Sequence, residues 1–150
     1  MSDETLIPFL RELIVNSPIP PEMLAFEITE TAMVSQLDQA RRLMEQIKAL
    51  GCQFYLDDFG SGYASYSYLK EFPVDVVKID GIFVKDVDTD LASRAMVKSI
   101  TEVAHHMNKQ VIAEYVESEA ILNVLGELEV DYAQGYCIGY PTALNKLFLN

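Results

Sequence analysis

The amino-acid sequence predicts an α/β domain in which about five parallel strands form the core and the helices lie outside. Apolar runs of strand length alternate along the chain with segments of helical periodicity, and strict alternation of this kind is typical of a parallel sheet. The runs are continuously apolar, which indicates a sheet that is covered on both faces. A chain of 150 residues suits one domain, so we expect a single unit over residues 1–150.

The elements follow one another in the order α-β-α-β-α-β-α-β-α-β-α. The predicted strands are Leu24–Glu30, Phe54–Leu56, Val76–Asp80, Val111–Glu114 and Tyr132–Tyr136. Ser17–Pro21 predicts a rigid turn before the first strand, because its prolines restrict the backbone.

Helical periodicity places helices before, between and after these strands. The first has apolar residues spaced over Leu6–Ile14, and Pro8 is tolerable there only in the first turn. The next begins at Ser35, with Asp38 three residues on as in a capping box, and ends at Gly51. Further helices are predicted over about Asp90–Met107, after Ser118, over about Ala64–Glu71 and over about Ala143–Phe148. The predicted apolar stripe of the helix over Asp90–Met107 is Met96, Ile100, Val103, Ala104 and Met107.

Polar side chains of functional type stand at or near the C-terminal end of each predicted strand. Because right-handed connections point all these ends the same way, the side chains would gather at one face. They are Glu27, Asp57, Asp58, Lys78, Asp80, Glu114 and Gln134. The adjacent pair Asp57-Asp58, taken alone, also fits an aspartate that caps the next helix. Agreement among the strand ends favours an active-site face.

The bulk composition argues against some classes of function. A net charge of −12 argues against a surface for a nucleic-acid polymer or an anionic membrane, but not against a small phosphate ligand held through cations. No membrane segment and no signal-peptide pattern is found in the sequence. Cys52 and Cys137 show no paired metal-ligand spacing, so we interpret them as buried reduced thiols of a cytoplasmic protein.

The residue types at the strand ends favour metal-assisted hydrolysis of a phosphate ester. Carboxylate and amide oxygens suit Mg²⁺ or Mn²⁺, and a metal pair clamps a phosphodiester and activates a water for in-line attack. Lys78 can orient that water or offset charge in the transition state. Glu114 can accept a proton or complete a metal shell. These residue types alone do not name the substrate.

Five segments of the chain, in order and with matching spacing, resemble successive motifs of EAL domains, which are cyclic di-GMP phosphodiesterases. The segments are Phe26–Glu30, Asp57–Tyr63, Lys78–Asp80, Ala113–Glu117 and Gln134–Tyr136. The resemblance implies a partial (β/α)8 TIM-like barrel. It also implies hydrolysis of cyclic di-GMP to linear pGpG with Mg²⁺ or Mn²⁺.

By matching motif, the resemblance implies a role for each site residue. Glu27 and Asp57 are the expected metal ligands, and Asp58 is expected to serve a second metal. Lys78 is expected to position the water, and Glu114 to act as the catalytic base or a metal-site carboxylate. The remaining expected site residues are Gln134, Glu117 and Asp80 in supporting roles, and Glu30 as the anchor of the loop 59–67, which the family links to dimerisation.

The sequence also departs from the family pattern. In the pattern, a Glu-Ala-Leu strand carries a metal-binding Glu and is followed by a substrate-contacting Arg, and a later strand carries a metal-binding Asn. All of these precede the helix that opens this chain. We therefore expect residues 1–150 to form a truncated EAL-type domain. Tyr115 stands at the Gly of an Ala-Glu-Gly-Val-Glu motif, and it is strained if that position needs a positive φ. Tyr140 stands where the family often has a polar or basic residue.

Two classes of function follow from the match and the departures. The first is a cyclic di-GMP phosphodiesterase module that is inactive as this isolated chain. The alternative is a non-catalytic EAL-like module that binds nucleotide or a protein partner. An open strand edge at Leu24–Ile28 and a Tyr-rich loop over Phe59–Tyr68 predict a homo-oligomer. A sensory or GGDEF-type domain is expected upstream in the parent protein.

Overall fold

A computed structural model describes residues 5–61 and 66–143 of the chain. Within them, one parallel sheet has its strands in chain order. The strands are β1 (Ala25–Thr29), β2 (Gln53–Phe59), β3 (Val76–Ile79), β4 (Gln110–Ala113) and β5 (Tyr132–Ala133). This confirms the predicted α/β class with five parallel strands, as expected for a partial barrel. Among the described residues, β1 pairs only with β2, and β5 only with β4.

Helices connect the strands, and the short helices Glu30–Ser35 and Gly81–Val84 are present in addition to those that the periodicity predicts. They are α1 (Leu6–Asn16), α2 (Glu30–Ser35), α3 (Leu37–Lys48), α4 (Tyr66–Glu71), α5 (Gly81–Val84), α6 (Leu91–His106) and α7 (Glu119–Glu127), with a 3₁₀ turn at Pro21–Met23. Residues 62–65, which include part of a predicted motif and the start of a predicted helix, lie outside the described residues. So do residues 144–148 of the last predicted helix. No helix within the described ranges is long and apolar enough to cross a membrane.

Polar side chains start the two longer helices after β3 and β4. The Asp90 carboxylate accepts hydrogen bonds from the N–H groups of Ala92 and Ser93 at the start of α6. The Ser118 hydroxyl accepts one from Ile121 N–H at the start of α7. First-turn N–H groups have no partner inside the helix, so these acceptors fix where each helix begins.

The predicted capping box at Ser35 is wrong. Ser35 ends α2, and its hydroxyl donates to the carbonyl of Ala32 at 2.8 Å. α3 starts after Gln36, which provides no side-chain cap. The short α2 exists because the Thr29 side chain accepts a hydrogen bond from Ala32 N–H, a local signal that the apolar periodicity does not carry. Gly51 follows α3 with φ +99°, as expected for a glycine stop.

The predicted apolar stripe of α6 is confirmed at Ile100 and Ala104 and is wrong at Met96. Val97, Ile100 and Ala104 are buried, whereas Met96 is 39% exposed. Thr101 completes the buried stripe, and its hydroxyl donates to the carbonyl of Val97 at 2.9 Å. A polar residue can occupy the core-facing side because this bond satisfies its hydroxyl.

The strand register separates an apolar face of the sheet from a polar one. Side chains alternate along a strand, and residues paired across parallel strands share a face. The apolar face carries the buried Phe54, Leu56, Val77, Ile79, Val111 and Ala113. The other face therefore receives the side chains in between, and the candidate site lies at its C-terminal end.

Candidate active site

The register brings the strand-end residues of four strands to the polar face. Glu27 pairs with Tyr55 in the β1–β2 register, and Lys78 pairs with Ile112 in the β3–β4 register. Asp57 lies two residues beyond Tyr55, and Glu114 lies two residues beyond Ile112. All these side chains therefore share one face and one end of the sheet, as the sequence predicts.

A bulge in β2 brings two consecutive aspartates to the same place. Between Leu56 and Phe59, β2 holds one more residue than the facing part of β3. Asp58 takes the left-handed conformation there, with φ +55°, which aspartate adopts more readily than most side chains. As a result, one carboxylate oxygen from each of Asp57, Asp58 and Glu114 lies within 4.8 Å of the others.

Lys78 lies at the centre of the carboxylates. Its Nζ is 2.8 Å from Glu114 Oε1, 2.9 Å from Asp57 Oδ1 and 3.3 Å from Glu27 Oε1. Lys78 is only 4% exposed, whereas the side chain of Glu27 is 50% exposed, so water screens that third pair more strongly. One buried ammonium thus offsets the charge of several carboxylates.

The charges of the cluster shift the proton affinities of its members. Burial favours the neutral amine of Lys78, but hydrogen bonds to Glu114 and Asp57 outweigh it and raise the pKa of Lys78. Burial raises the pKa of Glu114, and Lys78 offsets part of that rise. Partial desolvation, followed by repulsion from Asp57 and Asp80, raises the pKa of Asp58. The lysine therefore stays charged at neutral pH, while the carboxyl groups retain excess negative charge that a cation would relieve.

A pocket of about 370 Å³ opens beside the cluster. Its lining residues are Asp57, Asp58, Glu114, Tyr115, Glu117, Gln134, Gly135 and Tyr136. The predicted supporting residues Gln134 and Glu117 are thus beside the carboxylates, and both are exposed. Gly135 allows the segments after β4 and β5 to pack directly, because a Cβ there would lie 2.3 Å from the backbone N and O of Val116.

Two further predicted residues have clear contacts next to the site. Glu30 is 1% exposed, and its Oε2 accepts a hydrogen bond from Gly60 N–H at 2.8 Å. It therefore ties the start of α2 to the loop after β2. Asp80 caps α5, since its Oδ1 accepts from Ile82 N–H at 3.0 Å. Asp80 thus has a structural partner in addition to its electrostatic effect on Asp58.

Tyr115 has a positive φ, and the backbone of a tyrosine is strained in that conformation. Its φ is +56°, and the residue is 53% exposed at the pocket. The ring lies against Gly81, and Lys85 Nζ is 4.6 Å from the ring centroid. Neither partner was predictable from the sequence, because no local pattern relates Tyr115 to residues about thirty positions earlier.

The donor set fits a hard divalent cation. Asp57, Asp58 and Glu114 offer carboxylate oxygens within a few ångströms of one another, and Mg²⁺ and Mn²⁺ prefer such ligands. Glu27 contacts Lys78 but does not belong to this group of three. Among the described residues, the structure therefore brings two of the three expected metal ligands together with the expected base.

The sequence and the structure were each compared with known proteins. The EAL domain family model matches residues 1–141. The chain is 46% identical over 126 residues to the cyclic di-GMP phosphodiesterase PdeB of Shewanella oneidensis, which covers 84% of this chain and 15% of that protein. The structure is similar to the PaMucR phosphodiesterase in a c-di-GMP complex, with a TM-score of 0.91 and 31% identity over 98% of this chain and 60% of that one.

A second solved structure is similar and is described with a metal. It is Klebsiella pneumoniae BlrP1 in a manganese/cy-diGMP complex, with a TM-score of 0.83 and 26% identity over 90% of this chain and 34% of that one. The chain spans less than two thirds of the length of each of these proteins.

Proposed function

This chain belongs to the EAL domain family, and on that premise we propose that it supplies the base and part of the metal shell for hydrolysis of cyclic di-GMP to linear pGpG with Mg²⁺ or Mn²⁺. The observation that carries the proposal is the group of three carboxylates, Asp57, Asp58 and Glu114, which meets buried Lys78 at the C-terminal ends of the strands. Relatives named as cyclic di-GMP phosphodiesterases support the choice of substrate.

In this scheme Asp57 and Asp58 would be ligands of a divalent cation, and Glu27 would be a further metal ligand. Bound cation lowers the pKa of a water and stabilises negative charge on the phosphate. Glu114 takes a proton from the attacking water, whose oxygen bonds to phosphorus while the bond between phosphorus and the ribose 3′-oxygen breaks. The leaving 3′-oxygen takes up a proton from solvent and Glu114 releases its proton to solvent, so one water is consumed for each linear pGpG formed.

Lys78 keeps this arrangement in place through its charge. Its ammonium is within 3 Å of both Glu114 and Asp57, so it holds the two carboxylates in fixed positions. A fixed positive group near the phosphate also stabilises the charge that develops there during attack.

We also propose that residues 1–150 alone turn over cyclic di-GMP negligibly. The three grouped carboxylates are few for two hard cations, each of which takes about six ligands. The family pattern assigns a further Glu and Asn ligand to strands ahead of this region. Loss of groups that merely support metal ligands costs about 10–100-fold in affinity or activity, and loss of direct ligands should cost more.

The proposal is tested by metal binding and by turnover. Isothermal titration of the chain with Mn²⁺ should show a site that Asp57→Asn or Asp58→Asn weakens by about tenfold or more. The control Glu127→Gln changes an exposed carboxylate that pairs with Arg94 outside the pocket, and it should bind Mn²⁺ normally. Equal Mn²⁺ affinity in all variants would contradict the metal site.

Turnover is followed by chromatography of pGpG after incubation with cyclic di-GMP and Mn²⁺. We expect a trace at most from residues 1–150. Robust turnover that disappears in Glu114→Gln would show a complete site and refute the proposed inactivity of this chain.

A binding-only function is the second candidate, and Tyr115 favours it. The side chain occupies the wall of the pocket in a strained conformation, which reduces the room beside Glu114. Metal-dependent binding of cyclic di-GMP without turnover, even in a longer chain that contains the family's other ligands, would favour this candidate over hydrolysis.

We propose that the chain self-associates through the edge of its sheet. β1 pairs only with β2 among the described residues, and a strand with one unpaired edge invites pairing with a second copy. Light scattering should show a mass that rises with concentration. A stable monomer at high concentration would contradict this proposal. Of the predicted second contact over Phe59–Tyr68, residues 62–65 lie outside the described residues.

A further inference from the structure

We propose that Tyr115 provides a stacking surface for a nucleobase whose phosphate lies at the carboxylate cluster. The inference rests on the proposed function, because cation held by that cluster would bind the phosphate end of the ligand. It adds a residue that recognises the base.

The backbone of Tyr115 has a conformation that is strained for a tyrosine. A non-glycine L-residue with φ +56° costs roughly 1–2 kcal/mol relative to the right-handed region. A glycine would occupy the same conformation without that cost. Strained residues persist mostly where the conformation serves a binding or catalytic site. Tyr115 directly follows Glu114, and both residues line the pocket.

One side of the ring is supported by the start of α5. An ideal Cβ on Gly81 would lie 2.3 Å from Tyr115 Cδ2, so only glycine leaves room for the ring. Lys85 Nζ is 4.6 Å from the ring centroid, a distance at which an ammonium attracts an aromatic face. Gly81 begins α5 and Lys85 directly follows its last residue, so the two are about one helical turn apart and lie on the same side.

The rest of the ring is available to a ligand. Tyr115 remains 53% exposed despite these contacts, and it lines the pocket with Asp57, Asp58 and Glu114. A wall with an aromatic ring beside a carboxylate cluster that can hold a cation suits a ligand with a flat ring at one end and a phosphate at the other. A nucleotide has both groups, and a pocket of about 370 Å³ is within the usual size for small ligands.

The experiment compares two probes that differ only in the base. GMP and ribose 5-phosphate are each titrated with Mg²⁺ into the 150-residue chain, and affinity is read from chemical-shift changes in NMR spectra. Tyr115→Phe keeps the ring, whereas Tyr115→Leu and Tyr115→Gly remove it, and the glycine variant also removes the backbone strain. Tyr132→Leu is the matched control, because Tyr132 is 51% exposed but does not line the pocket.

We expect both ring-free variants to bind GMP about tenfold more weakly, since stacking on one aromatic side chain changes affinity by about 5–150-fold per base. Tyr115→Phe and Tyr132→Leu should bind GMP as the wild type does. Ribose 5-phosphate should bind more weakly than GMP and should not respond to any of these changes. Melting curves of each variant verify that the chain is folded.

Three results would overturn the inference. They are equal GMP affinity with and without the ring, tighter GMP binding when the ring is removed, and no GMP binding to the wild type at millimolar concentration. The second result would identify Tyr115 as a steric block instead. Separate titration with Mg²⁺ alone tests the proposed function. Absent Mg²⁺ binding together with ring-dependent GMP binding would refute the metal site and leave the stacking role intact.

Discussion

Lys78→Met removes the buried ammonium of Lys78 from the carboxylate cluster while keeping a side chain of similar length. In the wild type, this ammonium lies 2.8–3.3 Å from Glu114, Asp57 and Glu27. The substitution leaves these carboxylates facing one another with no cation between them. We expect the folded state to lose stability, because removing one partner of a buried ion pair leaves the other charge uncompensated.

The expected size follows from the exposure of the partners. Breaking a fully buried pair costs about 3–5 kcal/mol. Here the side chains of Asp57 and Glu114 are 21% and 12% exposed, and that of Glu27 is 50% exposed. Water therefore reduces the loss, and we expect the lower end, about 3 kcal/mol. For a chain of this size, that corresponds to a fall in Tm of about 6–12 °C.

The assay is thermal unfolding by circular dichroism, with and without Mn²⁺. Metal should raise the Tm of Lys78→Met more than that of the wild type, because the cation replaces the missing charge and binds only the folded state. Lys98→Met is the matched control, since Lys98 is 61% exposed and pairs only weakly with Glu102 at 3.8 Å. It should shift the free energy of unfolding by less than about 0.5 kcal/mol. If Lys78→Met unfolds like the wild type without metal, the cluster does not depend on this lysine and the reasoning fails.

Two further predictions concern positions outside the cluster. Gly135→Ala should reduce the free energy of unfolding by about 1–3 kcal/mol, because its Cβ would collide with backbone atoms of Val116. In the control Gly126→Ala the new Cβ meets nothing within 4 Å, so this variant should be neutral or stabilised by up to about 1 kcal/mol. Equal effects of the two substitutions in chemical denaturation would contradict the predicted collision at Gly135. Burial lowers the pKa of Lys109, and Asp75 offsets part of that shift, so the unfolded chain binds more protons just below the ordinary lysine pKa of about 10.4. The free energy of unfolding of the wild type, relative to that of Lys109→Met, should therefore rise with pH in that window. Urea titrations that give the same difference between the two proteins from neutral pH to a pH of about 10 would refute this prediction.

The order of elements was predictable because its signals are local. Continuous apolar runs and helical periodicity predict β1 to β5 and one helix in each connection between them, but not the short α2 and α5. The polar strand ends then indicated one functional face, since parallel strands place their C-terminal ends together. The start of α3 was not predictable in this way. Ser35 and Asp38 resemble a capping box, but Thr29 caps the N-terminus of α2 six residues earlier, and Ser35 is the last residue of that helix.

The buried side of α6 shows a second limit of local patterns. Thr101 interrupts the apolar periodicity in the sequence, so the stripe through Met96 was the better apparent match. The structure buries Val97 and Thr101 instead. A hydroxyl that bonds to the carbonyl four residues before it can face the core, and hydropathy does not record that bond.

The sequence by itself determined which chemical groups are available at the site. Carboxylates at the ends of β2 and β4, a lysine at the end of β3 and a glutamate that begins α2 follow from residue type and strand order. Only the tertiary structure decided how these groups meet. The bulge at Asp58, the contacts of Lys78 and the packing of Tyr115 on Gly81 depend on the register between segments that are about twenty to fifty residues apart. Register is fixed by burial of the whole apolar face of the sheet, and no short stretch of sequence contains that information.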